Sequence, residues 1–320
     1  MKRVIIDTDP GIDDAAAILL ALASPELSVD AFTTVYGNGP VEQCTSNLLR
    51  ILLAAGRLDI PVFKGAGKPL LRAPNEGWAS HIHGDDALGN TGLPLPDELP
   101  NSLAGPHAAV EMINQVMASP GEITVLALGR LTNVALALSL EPGLAQSVAE
   151  IIVMGGAVSV PGNVTPVASA NLYEDPEAAA IVYASGAPLV QVGLDVCDQV
   201  TISQAQLDGI HDAGTPVARL LSSATPTLQR SYIERGLLGK GDGVRYNDMP
   251  AVAFAIDASL FGCSEYYVEI ETQSPVTRGQ TVAHQRAPAG GSPNARVCLE
   301  VDASRLAELF TERITSYRPP

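Results

Sequence analysis

A chain of 320 residues with 46% hydrophobic and 17% charged side chains can bury a large core, which excludes a disordered or low-complexity polypeptide. Its formal charge of −16 excludes nucleic acid and anionic membrane as main partners, since both bind a basic face. Cys44, Cys197, Cys263 and Cys298 form no Cys-x-x-Cys pair, so reduced thiols are expected rather than a disulfide scaffold.

The first element is Val4-Ile5-Ile6, an apolar run that reads as a buried strand of a parallel sheet. It stops at Asp7, too soon for a signal peptide or a transmembrane span, so a cytoplasmic location is expected. Pro10-Gly11 forces a turn, after which Ile12, Ala16, Leu19, Leu20 and Ala23 recur with the period of an amphipathic helix. Asp7 and Asp9 therefore close the strand, and Asp13 and Asp14 occupy the first helical turn. Helix capping explains one such aspartate but not all of them. Carboxylates this close repel unless a cation or proton joins them, and hard oxygen ligands with no nearby cysteine or histidine favour Ca²⁺ or Mg²⁺.

Leu27 to Thr34 reads as a second strand, Val41 to Ala55 as a helix and Pro61 to Phe63 as a short strand. Gly65 to Pro106 breaks the pattern with repeated Gly and Pro, carries Trp78, His81 and His83, and reads as a lid or binding loop. His107 to Ala118 is a helix, Ile123 to Leu128 a strand, Leu131 to Leu140 a helix and Ile151 to Met154 a strand. A polar loop from Asn163 to Asn171 precedes a helix that starts at Asp175-Pro176-Glu177, and Leu189 to Val192 is again a strand. From Ser203 to Asp257 the chain reads mostly helical around a Gly-rich loop. Val268 to Thr272 and Arg296 to Val301 look like late strands, and Ala303 to Ser316 a closing helix. Alternating strands and helices predict an α/β fold, an open and mainly parallel sheet with helices on both faces. No linker divides the chain, so one domain over residues 1–320 is expected. Asp9, Asn38, Leu128 and Asn163 all fall just beyond a strand's carboxyl end, where open α/β sheets bind ligands.

These residues resemble the inosine–uridine-preferring nucleoside hydrolases from end to end. The stretch Asp7–Ala15, DTDPGIDDA, is similar to that family's N-terminal signature. Further matches are Gly37-Asn38, His83-Gly84, Leu131-Thr132-Asn133, Met154-Gly155-Gly156, Gly162-Asn163, Asn171, Asp175-Pro176-Glu177-Ala178-Ala179, Gly193-Leu194-Asp195-Val196 and Asp248. The resemblance implies Ca²⁺ held by Asp9, Asp14, Asp248 and the backbone carbonyl of Leu128. It also implies Asp13 as the general base for a water on the cation, and a ribose contacted by Asn38, Asn163 and Asn171, with Met154, Ser169 and Asn247 lining the same site. A nucleoside partner and a homodimer or homotetramer follow from the same likeness.

Three positions depart from the family's pattern. Asn247 stands where many members carry a histidine that protonates the leaving base, Ser169 stands for a glutamate near the 5′-hydroxyl, and Arg130 replaces a frequent proline. An amide donates a hydrogen bond but no proton, so aromatic groups that would cover the base, Trp78, His83, Tyr232 and Tyr246, become candidates for base contact and would shift preference towards purines. Two other readings compete. Asn247 and Ser169 fit a nucleoside- or ribose-binding protein with little turnover, or a hydrolase of a modified nucleoside. Asp7-x-Asp9 after an apolar strand also resembles the nucleophile motif of aspartyl-phosphate phosphatases.

Overall fold

Along β1 (Lys2–Thr8), Val4 and Ile6 face one hydrophobic cluster and Ile5 faces the other, the two-residue alternation of a strand buried on both sides. The computed structural model, which describes residues 1–73, 78–286 and 291–319, continues with β2 (Leu27–Thr34), β3 (Val62–Lys64), β4 (Ile123–Ala127), β5 (Glu150–Met154), β6 (Leu189–Val192), β7 (Phe261–Tyr266), β8 (Val268–Ile270), β9 (Thr281–Ala283) and β10 (Ala295–Val301), of which β4, β5 and β6 are likewise buried on both sides. Eight of these strands form one sheet in the order β3-β2-β1-β4-β5-β6-β10-β7. All its pairs are parallel except β10 with β7. The α/β expectation holds.

Helices cover both faces. On one side lies the Ile12–Leu22 helix, buried from Ile12 through Ala21 and surrounded by the helices Val41–Ala55, Pro216–Glu234, Met249–Ile256 and Ala303–Ser316. On the other side lie Ala108–Ala118, Thr132–Leu140 and Pro176–Tyr183. Local signals set their ends. Val41–Ala55 stops at Gly56, whose φ of 68° is the left-handed conformation that glycine adopts without penalty. Asp175 caps the Pro176–Tyr183 helix by accepting from the Ala178 N–H, with Pro176 in the first turn. No helix among the described residues is long and apolar enough to cross a membrane.

Two late segments differ from the sequence reading. Phe261–Tyr266, not expected as a strand, forms the antiparallel edge of the sheet, while Val268–Ile270 leaves the main sheet and pairs with β9 in a small hairpin. Residues 74–77 of the expected Gly65–Pro106 loop lie outside the described residues; the part from Ser80 to His83 is a short helix.

The strand order fixes where a ligand would sit. From β1 the chain runs outward to β2 and β3, then returns to the opposite side of β1 for β4 and continues to β5 and β6. The order therefore reverses between β1 and β4, and the crevice beyond the carboxyl ends of strands at such a reversal is the usual binding place.

Candidate active site at the carboxyl end of the first strand

Of the four aspartates in the first strand, turn and helix, Asp9, Asp13 and Asp14 gather at this crevice, each with a different environment. Asp7 lies beneath it, fully buried, with Oδ1 accepting from Thr33 Oγ1 at 2.6 Å and Asn133 Nδ2 at 2.7 Å. Burial pushes its carboxyl up to about 7 against those two bonds. A carboxylate so placed cannot attack a phosphate, which removes the phosphatase reading's nucleophile. Asp14, at the third position of its helix, has both oxygens engaged: Oδ1 accepts from Thr8 Oγ1 at 2.5 Å, and Oδ2 from the Gly11 N–H and Asn38 Nδ2, both at 2.9 Å. Asp13 differs. Its Oδ1 is buried and accepts no hydrogen bond, and burial lifts its carboxyl to about 6 while the backbone N–H groups of Asp13, Asp14 and Asn247 and the charge of Arg130 oppose the rise.

Asp248 enters from the same helical layer, at the start of the Met249–Ile256 helix that packs on Ile12–Leu22. Asp13, Asp14 and Asp248, all buried, each offer a carboxylate oxygen within 4.8 Å of the others. Burial, followed by repulsion from Asp13, Asp14 and Asp9, holds the Asp248 carboxyl well above the ordinary carboxylate range. Buried carboxylates converging this closely are the arrangement a divalent cation relieves.

Asp9 faces a cation already present in the chain. Its Oδ2 accepts from Arg130 Nη1 at 2.5 Å and from the Asn38 N–H at 2.8 Å. Arg130 is 3% exposed; its Nε donates to Glu174 at 3.0 Å and its Nη1 also to Asn171 Oδ1 at 3.2 Å. The side chain that replaces the family's frequent proline therefore joins a proposed metal ligand to a proposed ribose contact. The fit requires two glycines: a Cβ on Gly37 would collide with Asp9 and Arg130, and one on Gly129 with Asp9. Asn171 continues the network, its Nδ2 donating to the Leu128 carbonyl at 2.6 Å and the Met154 carbonyl at 3.0 Å. The carbonyl expected to face a metal thus accepts a hydrogen bond from the Asn171 amide here.

The remaining sequence candidates divide. Asn38 stands beside Asp9 and Asp14. Asn163 is exposed on its loop, with Oδ1 accepting from the Ala170 N–H at 2.9 Å. Ser169 is buried and its Oγ accepts from the Gly156 N–H at 2.8 Å, so it holds the loop. His83 is buried; its Nδ1 accepts from the Ile12 N–H at 3.2 Å, which leaves the proton on Nε2, 3.8 Å from Asp13 Oδ1. Burial depresses its pKa to about 4, so the ring is neutral. Trp78 is half-buried against Val35, Tyr36 and Val41, and Tyr246 is a core residue whose hydroxyl meets Thr225 Oγ1 at 2.5 Å and whose ring packs on Phe310. Tyr232 is buried on the Pro216–Glu234 helix, near enough to Asp13 for that charge to add to the effect of burial in pushing its phenol up. Asn247 is half-buried with Oδ1 unpartnered.

Sequence reading gave Arg130 no role and did not link Asp7 to Asn133. Two motif aspartates also prove to be loop holders: Asp175 accepts from the Leu70 N–H and Thr132, and Asp195 from the Val158 and Ser159 N–H groups.

Comparison with known proteins gives the family and the fold. The family model described as inosine-uridine preferring nucleoside hydrolase matches residues 4–308. The chain is 38% identical over 320 residues, 98% of this chain and 97% of the relative, to probable uridine nucleosidase 2 of Arabidopsis thaliana. It is 38% identical over 317 residues, 98% of both chains, to the pyrimidine-specific ribonucleoside hydrolase RihA of Salmonella typhimurium. Among solved structures, a plant nucleoside hydrolase, PpNRh1, superposes with a TM-score of 0.92 at 38% identity, covering 98% of this chain and 99% of its own. A purine-preferring ribonucleoside hydrolase from Gardnerella vaginalis superposes with a TM-score of 0.91 at 30% identity, covering 99% of each.

Proposed function

This chain belongs to the inosine-uridine preferring nucleoside hydrolase family, and from that premise we propose that it hydrolyses the N-glycosidic bond of ribonucleosides with Ca²⁺ at the acidic end of β1. The observation that carries the reading is the convergence of buried Asp13, Asp14 and Asp248, with Asp13 Oδ1 unpartnered. The donor set is all oxygen, which suits a hard cation. Asp14 and Asp248 would hold it, with Asp9 and the Leu128 carbonyl alongside. When bound, such an ion polarises water and fixes vicinal hydroxyls.

The chain's own residues supply the rest. Asp13, lifted to about 6, is ionised at neutral pH yet basic enough to take the proton of the attacking water. His83 turns its Nε2–H towards that carboxylate and so helps orient it. Asn38 and Asn171, whose amide N–H groups are already donated to protein oxygens, accept from ribose hydroxyls through Oδ1, Asn163 adds a further amide, and Asp9 and Asp14 put negative charge near a sugar that becomes oxocarbenium-like. Water adds directly at C1′ as the base leaves, without a covalent intermediate.

On the base side, Asn247 can donate a hydrogen bond but not a proton. A uracil leaving group spreads its charge over two carbonyls and needs an acid least, and the 38%-identical relatives are named for uridine and pyrimidine nucleosides. Uridine is therefore the proposed substrate, in place of the purine preference that aromatic cover would have given. A homodimer or homotetramer and a cytoplasmic location accompany the reading. Asn247 also favours a second one, a binder with weak turnover, against which Asp13 stands, because a binder needs no base.

The test is release of ribose from uridine, cytidine, inosine and adenosine, with and without a Ca²⁺ chelator. Chelator-sensitive turnover, greatest on uridine, is expected. Turnover unaffected by chelation would overturn the metal reading, and no turnover on any nucleoside would favour the binder or a modified substrate.

A further inference from the structure

Cys263 and Cys298 face each other across the antiparallel pair β7–β10, directly opposite in register, with their sulfurs 2.9 Å apart. Both are free thiols. Opposed residues on antiparallel strands have Cα atoms about 4.5–5.5 Å apart, within the span that a disulfide bridges without moving the backbone. An irregularity in the ladder just beyond Cys298 gives the strand local freedom to adjust. The two cysteines are not equivalent. β7 is the edge strand and Cys263 is partly exposed, whereas Cys298 is buried between β7 and β6.

We propose that Cys263 and Cys298 form a thiol-modification site, a cross-strand dithiol that a low-molecular-weight disulfide such as oxidised glutathione converts into a disulfide. The thiolate of Cys263 attacks one sulfur of the reagent, forming a mixed disulfide and releasing one glutathione thiolate. Cys298 loses its proton to that thiolate, and its sulfur then displaces the second glutathione from Cys263. The protein gives up two electrons and two protons, and the reagent is reduced to two thiols. Cys263 suits the attacking role, since the Cys298 thiol and the Arg296 charge both favour its ionised form over the opposing effect of burial. Cys44 and Cys197 do not suit it: both are buried, burial pushes their thiols up, and Cys197 already donates to the Asn247 carbonyl at 3.1 Å. The product ties the exposed edge of the sheet to its neighbour and closes a loop around the β8–β9 hairpin. Because β7 follows the helix that starts at Asp248, oxidation anchors the distal end of that segment.

The experiment treats the folded full-length chain with oxidised glutathione, quenches with acid and reads intact mass and peptide maps. The wild type is expected to lose two hydrogens and yield a Cys263–Cys298 cross-linked peptide, reversed by dithiothreitol. Cys298→Ser should trap one glutathione on Cys263, and Cys263→Ser should leave Cys298 unmodified. The wild-type peptide map stands by itself if either variant folds poorly. A stable glutathione adduct on the wild type without cross-linking, a cross-link to Cys197 or Cys44, or no reaction at Cys263 would each overturn the proposal.

Discussion

Asp14 has both oxygens bonded to Thr8, Gly11 and Asn38, whereas Asn247, proposed to face the base, leaves its carbonyl oxygen without a protein partner. The contrast extends to their neighbours. On the side proposed for the sugar, Asp9, Arg130, Glu174, Asn171 and the Leu128 carbonyl form one continuous network, built from the loops after β1 and β4 and the short helix Ala170–Tyr173. On the side proposed for the base, Trp78 packs on Val35, Tyr36 and Val41, Tyr246 belongs to the core, and Asn247 Oδ1 is buried without a partner. On the ribose side the protein itself satisfies the Arg130 network and leaves Asp13 Oδ1 for a cation or water, whereas on the base side Asn247 Oδ1 is left for a ligand to satisfy. Chemistry held constant beside an adjustable base pocket suits a family whose members are named for different bases.

The sugar side should break hardest. Arg130→Met leaves Asp9 and Glu174 without their shared cation in a buried setting, and removing one partner of such a pair costs about 3–5 kcal/mol, readable in urea unfolding. A change below about 1 kcal/mol would mean that the network is not fixed by Arg130. Asn247→His sharpens the other side: a restored general acid should raise kcat on inosine by about 10²-fold with less effect on uridine, and equal effects on both would show that leaving-group protonation does not set base preference.

The acidic cluster also sets a pH dependence. Asp13 and Asp7 are raised to about 6 and about 7, above the value of about 4 expected in the unfolded chain. Between these limits the folded state binds more protons, so with chelator present stability should fall as pH rises from about 4 to about 7. Added Ca²⁺ should raise Tm more at the upper end of that window than at the lower, and the opposite trend would contradict the electrostatics. Tyr246→Phe carries the smallest effect. Losing the Thr225 bond should cost about 1 kcal/mol and leave KM for uridine unchanged; a raised KM would return Tyr246 to the base pocket.

How much was legible depended on sequence distance. Leu27–Thr34, Val41–Ala55, Leu189–Val192 and Ala303–Ser316 have the bounds that periodicity gives, because each is an uninterrupted run with a buried face. β7 was not read, since Phe261–Tyr266 is half-exposed, contains Gly262 and lacks a clean alternation. The Asp7–Asp14 constellation was readable because strand, turn and helix are contiguous. Arg130 meets Asp9 across 121 residues, and nothing local to either residue announces that pairing. The hydroxyls of Ser169 and Tyr246 meet Gly156 and Thr225, partners visible only once the chain has folded.

The most direct measurement is calorimetric titration of Ca²⁺ into metal-stripped wild type, Asp13→Asn and Asp248→Asn, with uridine turnover measured on the same samples. One ion per chain is expected for the wild type, retained binding with kcat lowered by about 10²–10⁴ for Asp13→Asn, and lost binding for Asp248→Asn. No binding to the wild type, or an Asp13→Asn chain that turns over uridine normally, would contradict the division of the cluster into a base and a cation site.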